Sequence, residues 1–429
     1  MDRAESRLGS SSSLIAEIRD VLDAEKSIYS DDLGYLSLSG SFSPEVYLQS
    51  NASDSVSVHD PDEDWWIKDH MERKPYLSLT LENGLYDSVY GKFVMEAKQK
   101  KYVSGYWNQT VSSNFRGAAL SQNFPFEAGI SVGTKGMNLI IARDHVSLGE
   151  GKTGNTAVGD VFDFQEFLKA SFFTRNTGVH LNITSFDSSH DVAIADPFRV
   201  NNTSFSGWRQ IRHTVDYEFI LMNKLRFSLG FVGLWDTDNA FDLRMFNPFM
   251  VFHNMYNFHE TTALEANNII TLDVSFAFAP KWNLYVQATM DQFQISGEAD
   301  GYVEEFGYTD PNALGGLLNV SYTEAVDKGI LRTYGELVVN GPALYLNEKY
   351  YDANGKVTQH RYADAEQTIL NRRCWSQDYL VGYTRTDENA HEMEFAGYTY
   401  GPDCIVVAIG ADYVVLNKYS VSTQLFYMA

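Results

Sequence analysis

From Trp208 to Ala429 the chain alternates apolar and polar positions in runs of about ten residues, paired by tight polar turns and separated by longer connections. In the clearest unit Ile270, Leu272, Val274, Phe276 and Phe278 share one face of a strand, and Thr271, Asp273, Ser275 and Ala277 share the other. After the turn Pro280-Lys281, Trp282, Leu284, Val286, Ala288 and Met290 oppose Asn283, Tyr285, Gln287, Thr289 and Asp291. Side chains of a strand alternate with period two, so each strand carries an apolar wall and a polar wall. A second unit repeats this: Ile211, Val215, Tyr217, Phe219 and Leu221 oppose Gln210, Arg212, Thr214, Asp216 and Glu218, and after Met222-Asn223-Lys224 the face Leu225, Phe227, Leu229, Phe231 and Trp235 opposes Arg226, Ser228 and Gly230.

Further turns fall at Arg175–Gly178 and Val326–Gly329, rich in Asn, Asp, Lys and Gly as tight hairpins require. Long polar connections fall near 187–205, 236–268, 293–312 and 341–375. Short turns on one rim, long loops on the other and aromatic residues at both ends of the apolar faces predict an all-β fold, a closed antiparallel transmembrane β-barrel. About 355 residues at about 20 per strand and connection give about 16–18 strands. The barrel is expected over 75–429, starting with a hairpin from Pro75 and closing with the aromatic strand that carries Phe426 and Tyr427. Residues 1–72 are expected to form a periplasmic helical segment, with Ser11–Ser13 capping a helix over Leu14–Tyr29, and an acidic linker ending at Trp65-Trp66. Strand parity is awkward: with short turns in the periplasm the trace ends outside, so an odd number of strands is expected within 341–375. No apolar leader follows Met1, which suits a mature or truncated chain.

Composition sharpens this picture. There is no run of 18 apolar residues for a membrane-spanning helix, while aromatic residues make up 14% of the chain, with 26 Tyr and 27 Phe. A formal charge of -23 argues against nucleic acid as a partner. The cysteines are Cys374 and Cys404, which the strands between them are expected to separate, and no metal-type Cys/His spacing occurs; no cofactor is expected.

Several motifs suggest chemistry. Gly149–Thr156 contains Gly151-Lys152-Thr153, like the end of a phosphate-cradling loop, but Val146 stands where its leading glycine belongs, so a Gly-rich loop tip is expected. His145, Ser147 and Asn155 have the residue types of an outer-membrane phospholipase without its spacing. His253 and His259 match no standard metal site. The sounder constellation is the charge on polar strand faces: Arg226, Asp273, Asp291, Arg332 and Glu336, with Lys169, Arg209, Arg212 and Asp216. Such mixed charges either brace a barrel wall as a self-satisfying ladder or line a polar, saccharide-binding path. A ligand would meet Arg143, Asp144, Lys152, Trp208, Arg209 and Arg212 at the long-loop rim and upper lumen, with an internal Arg143–Asp144 ion pair as the competing reading. The apolar residues of 236–268, Phe246, Phe249 and Phe252 among them, are expected to fold that loop, or 187–205, into the bore.

Two segments, Asn138–Phe173 with its strand, Gly-rich loop and following strand, and Met245–Phe258 with its Asn-Pro and His-Asn steps, resemble capsule-assembly Wzi-type outer-membrane proteins. Where that family has a tryptophan beside the Gly-rich loop, this chain has Leu148. The resemblance implies a non-enzymatic barrel of the cell outer membrane that binds, attaches or assembles surface or capsular polysaccharide. The expected partners are outer-membrane lipid and lipopolysaccharide, surface polysaccharide and the barrel-assembly machinery, with the chain itself a monomer. A porin or substrate-specific channel is the rival reading, and a phospholipase-like hydrolase ranks below it.

Overall fold

The computed structural model describes residues 27–31, 33–42, 77–86, 88–97, 125–159, 164–186, 209–237, 243–249, 266–292, 312–327, 329–342, 344–345, 349–351, 357–360, 380–385, 390–395, 397–415 and 419–429. Sixteen of its strands form one antiparallel sheet. In order these are β1 (Ser27–Asp31), β2 (Gly34–Phe42), β3 (Leu77–Leu85), β4 (Val89–Ala97), β5 (Glu127–Gly133), β6 (Met137–Asp144), β7 (Gln165–Phe173), β8 (Thr177–Phe186), β9 (Arg209–Leu221), β10 (Leu225–Thr237), β11 (Ala266–Ala279), β12 (Trp282–Gln292), β13 (Ala313–Val326) and β14 (Gly329–Asn340). Two hairpins, β15 (Lys349–Tyr351) with β16 (Val357–His360) and β17 (Leu380–Arg385) with β18 (Ala390–Phe395), stand apart as sheets of their own. The main sheet resumes with β19 (Cys404–Val415) beside β14 and ends with β20 (Tyr419–Met428).

Tight turns join β1 to β2, β3 to β4 and so on through β13 to β14, and then β19 to β20, all on one rim of the main sheet, and the longer connections leave from the other. Left-handed backbone at Tyr86, Met222, Asn223, Lys281 and Asp327 reverses the chain at these turns. The registers place the predicted polar residues together: Asp273 stands opposite Ser228 and Gln287, and Asn319 opposite Tyr285 and Glu336.

The two faces are inverted relative to a water-soluble sheet. In β19 Cys404, Val406, Ala408 and Gly410 are buried while Ile405, Val407 and Ile409 between them are exposed. In β11 Leu272, Phe276 and Phe278 are exposed and Thr271 and Asp273 are buried. The same apolar face is exposed at Leu81, Ile130, Leu139, Leu318, Leu337 and Leu425. Around the tight-turn rim it ends in paired aromatic rings, Phe219–Phe227, Phe278–Trp282, Trp282–Tyr322 and Tyr413–Tyr419, and at the other rim Phe42 and Tyr427 are exposed. An apolar belt bordered by aromatic rings suits a lipid-facing wall and would be costly in water. No helix among the described residues is long and apolar enough to cross a membrane.

The sheet curls around part of its own chain. Phe186 of β8, Val232 of β10, Ile269 of β11, Leu317 of β13, Val338 of β14 and Val406 of β19 belong to one buried cluster with Ala157 and Val158, and Met428 of β20 packs against it. Laid flat, β8 and β20 would be about 38 Å apart at about 4.8 Å per strand.

Three expectations need correction. Ser27–Tyr29, placed in an N-terminal helix, lies in β1, and β1 and β2 put the start of the sheet ahead of Pro75; among the described residues no α-helix occurs, and residues 1–26 lie outside them. Among the described residues of 341–375 no strand joins the sheet: β15 and β16 pair with each other, and β1 begins and β20 ends on the long-connection rim. In loop 236–268 the described piece 243–249 lies on the outward face of β9, not in the bore. The His213 Nε2 and Met245 O are 2.9 Å apart, Tyr217 donates to Pro248 O, and the Tyr217 and Phe249 rings stack. His213 and Tyr217 offer polar atoms on an otherwise apolar wall, and this strap meets the His213 Nε2 and the Tyr217 hydroxyl. The 187–205 loop lies outside the described residues.

Candidate functional site

The Gly-rich connection between β6 and β7 is no exposed loop tip. Its residues 148–159 are laid against the polar inner face of β10–β14, and the strand charges act as its sockets. Glu336 accepts from Lys152 N and Thr153 N, both at 2.7 Å, from Thr153 Oγ1 at 2.6 Å and from Asn319 Nδ2 at 2.8 Å. Successive backbone N–H groups do form an anion cradle here, as in phosphate loops, but the anion is the protein's own carboxylate. Because the Thr153 hydroxyl hydrogen goes to Glu336, its oxygen accepts from the Tyr398 hydroxyl 2.8 Å away.

A second socket is Gln287. Its Oε1 accepts from Thr156 N at 2.7 Å and Thr156 Oγ1 at 2.8 Å, while its Nε2 donates to Leu148 O and Asp273 Oδ1, both at 2.9 Å. Tyr285 also donates to Asp273. Arg226 binds Glu150 of the loop and lies 3.9 Å from Glu218. Tyr345, from the connection after β14, donates its hydroxyl to Thr156 O and its N–H to Asp291 at 2.9 Å. Burial holds the Tyr345 and Tyr398 phenols well above their ordinary range.

Two glycines make the insertion sterically feasible. Gly149 and Gly154 have φ of +129° and +127°, and a Cβ on Gly149 would come within 2.3 Å of Asn155 Oδ1 and 2.6 Å of the Tyr285 hydroxyl.

Of the residues expected to meet a ligand, Arg143, Asp144, Lys152 and Arg212 have another employment. Arg143 faces outward beside Ile141 and pairs with Glu166 across the β6–β7 ladder, its Nε 2.9 Å from the carboxylate. Its Nη1 donates to Pro125 O at 3.1 Å and the guanidinium lies 4.3 Å from the Phe164 ring centre. The Arg143–Asp144 ion pair is therefore corrected: Asp144 faces the other way, accepts from His145 N at 2.8 Å and lies 3.7 Å from Lys92 Nζ. Arg212 is buried against Phe186, bonded to Gln165 and to Thr184 at 3.1 Å. Lys152 points its ammonium toward the Tyr334 ring, 5.8 Å from its centre. Burial, helped by Arg332, pushes its pKa down against Asp412, Glu336 and Glu150. Arg209 is opposite Thr237 at the end of β9, and Trp208 lies outside the described residues.

Of the strand-face charges, Arg226, Asp291 and Glu336 hold the inserted segments, Asp273 accepts from Tyr285 and Gln287 of the wall, Arg332 stands opposite Asp412, Asp216 opposite Gly230, and Lys169 opposite Asn182. In the phospholipase-like set, Asn155 is committed to Gly151 N at 2.9 Å and His145 Nε2 lies 3.9 Å from Glu127, so these residues do not line up as acid, base and nucleophile. His253 and His259 lie outside the described residues, and no group of three metal-ligating side chains occurs among those described. Cys404 is free and buried, its thiol 3.4 Å from Gly401 O; Cys374 lies outside the described residues. The spacing of motifs missed Gln287, Thr156 and Tyr345, whose partners lie more than a hundred residues away or in another connection.

No protein-family model and no curated protein matches this chain. Among solved structures it is similar to Wzi, an outer-membrane protein involved in group 1 capsule assembly in Escherichia coli and a carbohydrate-binding β-barrel, at 12% identity and a TM-score of 0.47, covering 97% of this chain and 73% of that one. It is also similar to OmpT, an outer-membrane protein of Vibrio cholerae, at 9% identity and a TM-score of 0.32, covering 94% and 100%, and to a porin at 7% and 0.35, covering 82% and 86%.

Proposed function

We propose that this chain is a closed barrel of the bacterial outer membrane with a partly filled interior, and that it serves non-enzymatically in holding or organising surface polysaccharide. The observation that carries this reading is the bonding of 148–156 to Arg226, Gln287 and Glu336, which occupies the interior along β10–β14 with a fixed segment. That segment is part of the same Gly-rich stretch that resembles the capsule-assembly family. A wall of charged sockets already satisfied by an inserted loop supports a scaffold better than a wide pore or a hydrolase. Outer-leaflet lipopolysaccharide, surface polysaccharide and the barrel-assembly machinery are its proposed partners, and the monomer its proposed state. Cells lacking the protein are expected to shed surface polysaccharide into the medium and to regain it on complementation; unchanged retention would count against the reading.

One observation favours the channel reading instead. On β3–β6 the inner face is not covered: Thr80, Glu82, Lys92, Ser131 and Ala142 all keep partial exposure. Planar-bilayer recordings separate the two. A scaffold gives no porin-sized unit currents until residues 149–156 are deleted, whereas a channel conducts with the segment in place.

A further inference from the structure

Arg143, Asp144, Lys152 and Arg212, expected to meet a saccharide at the long-connection rim, are engaged elsewhere, so the polar cavity at the other end of the interior takes on weight. It lies at the opposite mouth, ringed by the tight turns of the first four hairpins, with a volume of about 1120 Å³. This exceeds the roughly 300–1,000 Å³ of pockets that enclose one small molecule, and suits a stretch of chain. Tyr35, Tyr86 and Tyr90 line it together with Ser131 and Asn138, and Lys135 is the one charged residue among the described residues of its lining.

The lining is arranged for uncharged hydroxyl-bearing rings. Gly84 lets the Tyr35 ring lie against the strand wall, since a Cβ there would come within 2.4 Å of the ring. Ser131 Oγ and Asn138 Oδ1 bond at 2.8 Å, so the Asn138 carbonyl is occupied and its Nδ2 is left to donate. Tyr90 donates its hydroxyl hydrogen to Glu82. Flat aromatic faces beside a fixed amide donor match a sugar's apolar face and a hydroxyl group. Among its described residues a polyanion would find a single lysine, on a protein of net charge -23.

We propose that this cleft at the tight-turn mouth is a binding site for a segment of neutral glycan several sugars long; it rests on the polysaccharide reading above. The test is binding of folded, detergent-purified protein to an array of immobilised neutral and uronate-bearing oligosaccharides, with heat-modifiable migration as the folding control. Wild type binds neutral glycans; Ser131→Trp, which fills the cleft, and Asn138→Ala, which removes the donor, each weaken binding about tenfold or more, while Arg143→Ala does not. Neutral-glycan binding untouched by both cleft variants overturns the site and leaves the polysaccharide reading standing. Binding confined to uronate-bearing chains overturns the ligand class. Binding to nothing on the array overturns site and reading together. Should Ser131→Trp fail to fold, Asn138→Ala alone decides between the first two results.

Discussion

Strands β3–β6 and strands β10–β14 obey one rule on their outer faces and two on their inner ones. Outside, Leu81, Ile130 and Leu139 of the first group are as exposed as Leu272, Leu318 and Leu337 of the second. Inside, the first group is open apart from Val94, whereas Thr271, Asp273, Gln287, Thr289, Asn319 and Glu336 of the second are buried. The outer face answers to lipid, which is the same all round, so its apolar pattern is uniform. The inner face answers to whatever the chain places against it, and only one side receives the Gly-rich segment. Similar polar residues thus do different work: Glu82 accepts from Tyr90 at a half-exposed wall, and Glu336 anchors a buried loop.

The sharpest way to break this comparison is to remove both carboxylates. Glu336→Leu leaves Lys152 N and Thr153 N without their acceptor in a buried setting, at about 1–3 kcal/mol each, so a loss of about 2–6 kcal/mol is expected. Glu82→Leu removes one hydrogen bond at a wall that water reaches, worth about 0.5–1.5 kcal/mol. Chemical unfolding followed by heat-modifiable migration measures both, and protease cleavage within 149–156 should appear in the Glu336 variant alone. Equal losses would mean that the segment is not held by its sockets.

Arginine insertion sharpens the same contrast. Outward changes at mid-strand, Leu272→Arg and Leu139→Arg, should each cost about 2–4 kcal/mol, because both groups face hydrocarbon. Inward changes should divide: Thr80→Arg reaches solvent and is expected to fold, while Thr289→Arg displaces Thr156 from a buried contact and should not yield heat-modifiable protein. A Leu139→Arg variant as stable as wild type would remove that strand from the membrane wall.

A smaller effect is expected of Arg143. Its pair with Glu166 lies at the rim, with Glu166 more than half exposed, so Arg143→Ala should cost about 0.2–1 kcal/mol, leave folding intact and leave polysaccharide retention unchanged. Shed polysaccharide from a normally folded Arg143→Ala protein would restore the rim as a contact.

What the sequence disclosed follows from the same contrast. A period-two apolar face is a local property, so the lipid wall, the turns and the aromatic borders could be read from residues such as Phe276, Phe278 and Trp282 without knowing the fold. The inserted segment depends on contacts such as Thr156 with Gln287, 131 positions apart, which no local spacing encodes. Its one local signal is the glycines: Gly149 and Gly154 read as a loop tip, though glycine also marks close approach, and backbone of positive φ against Tyr285 and Tyr398 is what they supply. Phe246 and Phe249 stay exposed on the outer wall although the Phe249 ring stacks on Tyr217, and nothing in their composition distinguished that wall from the bore.

Alkaline titration should show the smallest difference between the halves, carried by Lys152. Its pKa in the folded state is depressed by burial, so below that value the folded protein holds a proton that costs stability. Between the depressed value and the ordinary 10.5 the unfolded chain binds more protons than the folded one, and stability therefore rises with pH through that window. Above about 10 the trend reverses, because Tyr345 and Tyr398 ionise only in the unfolded chain, their folded pKa values being raised. Lys152→Met should abolish the rise and keep the fall, and the unfolding midpoint followed from pH 8 to 11 in both proteins checks it. A rise of equal size in Lys152→Met would assign it to groups outside the inserted segment and remove this lysine from the account of what destabilises it.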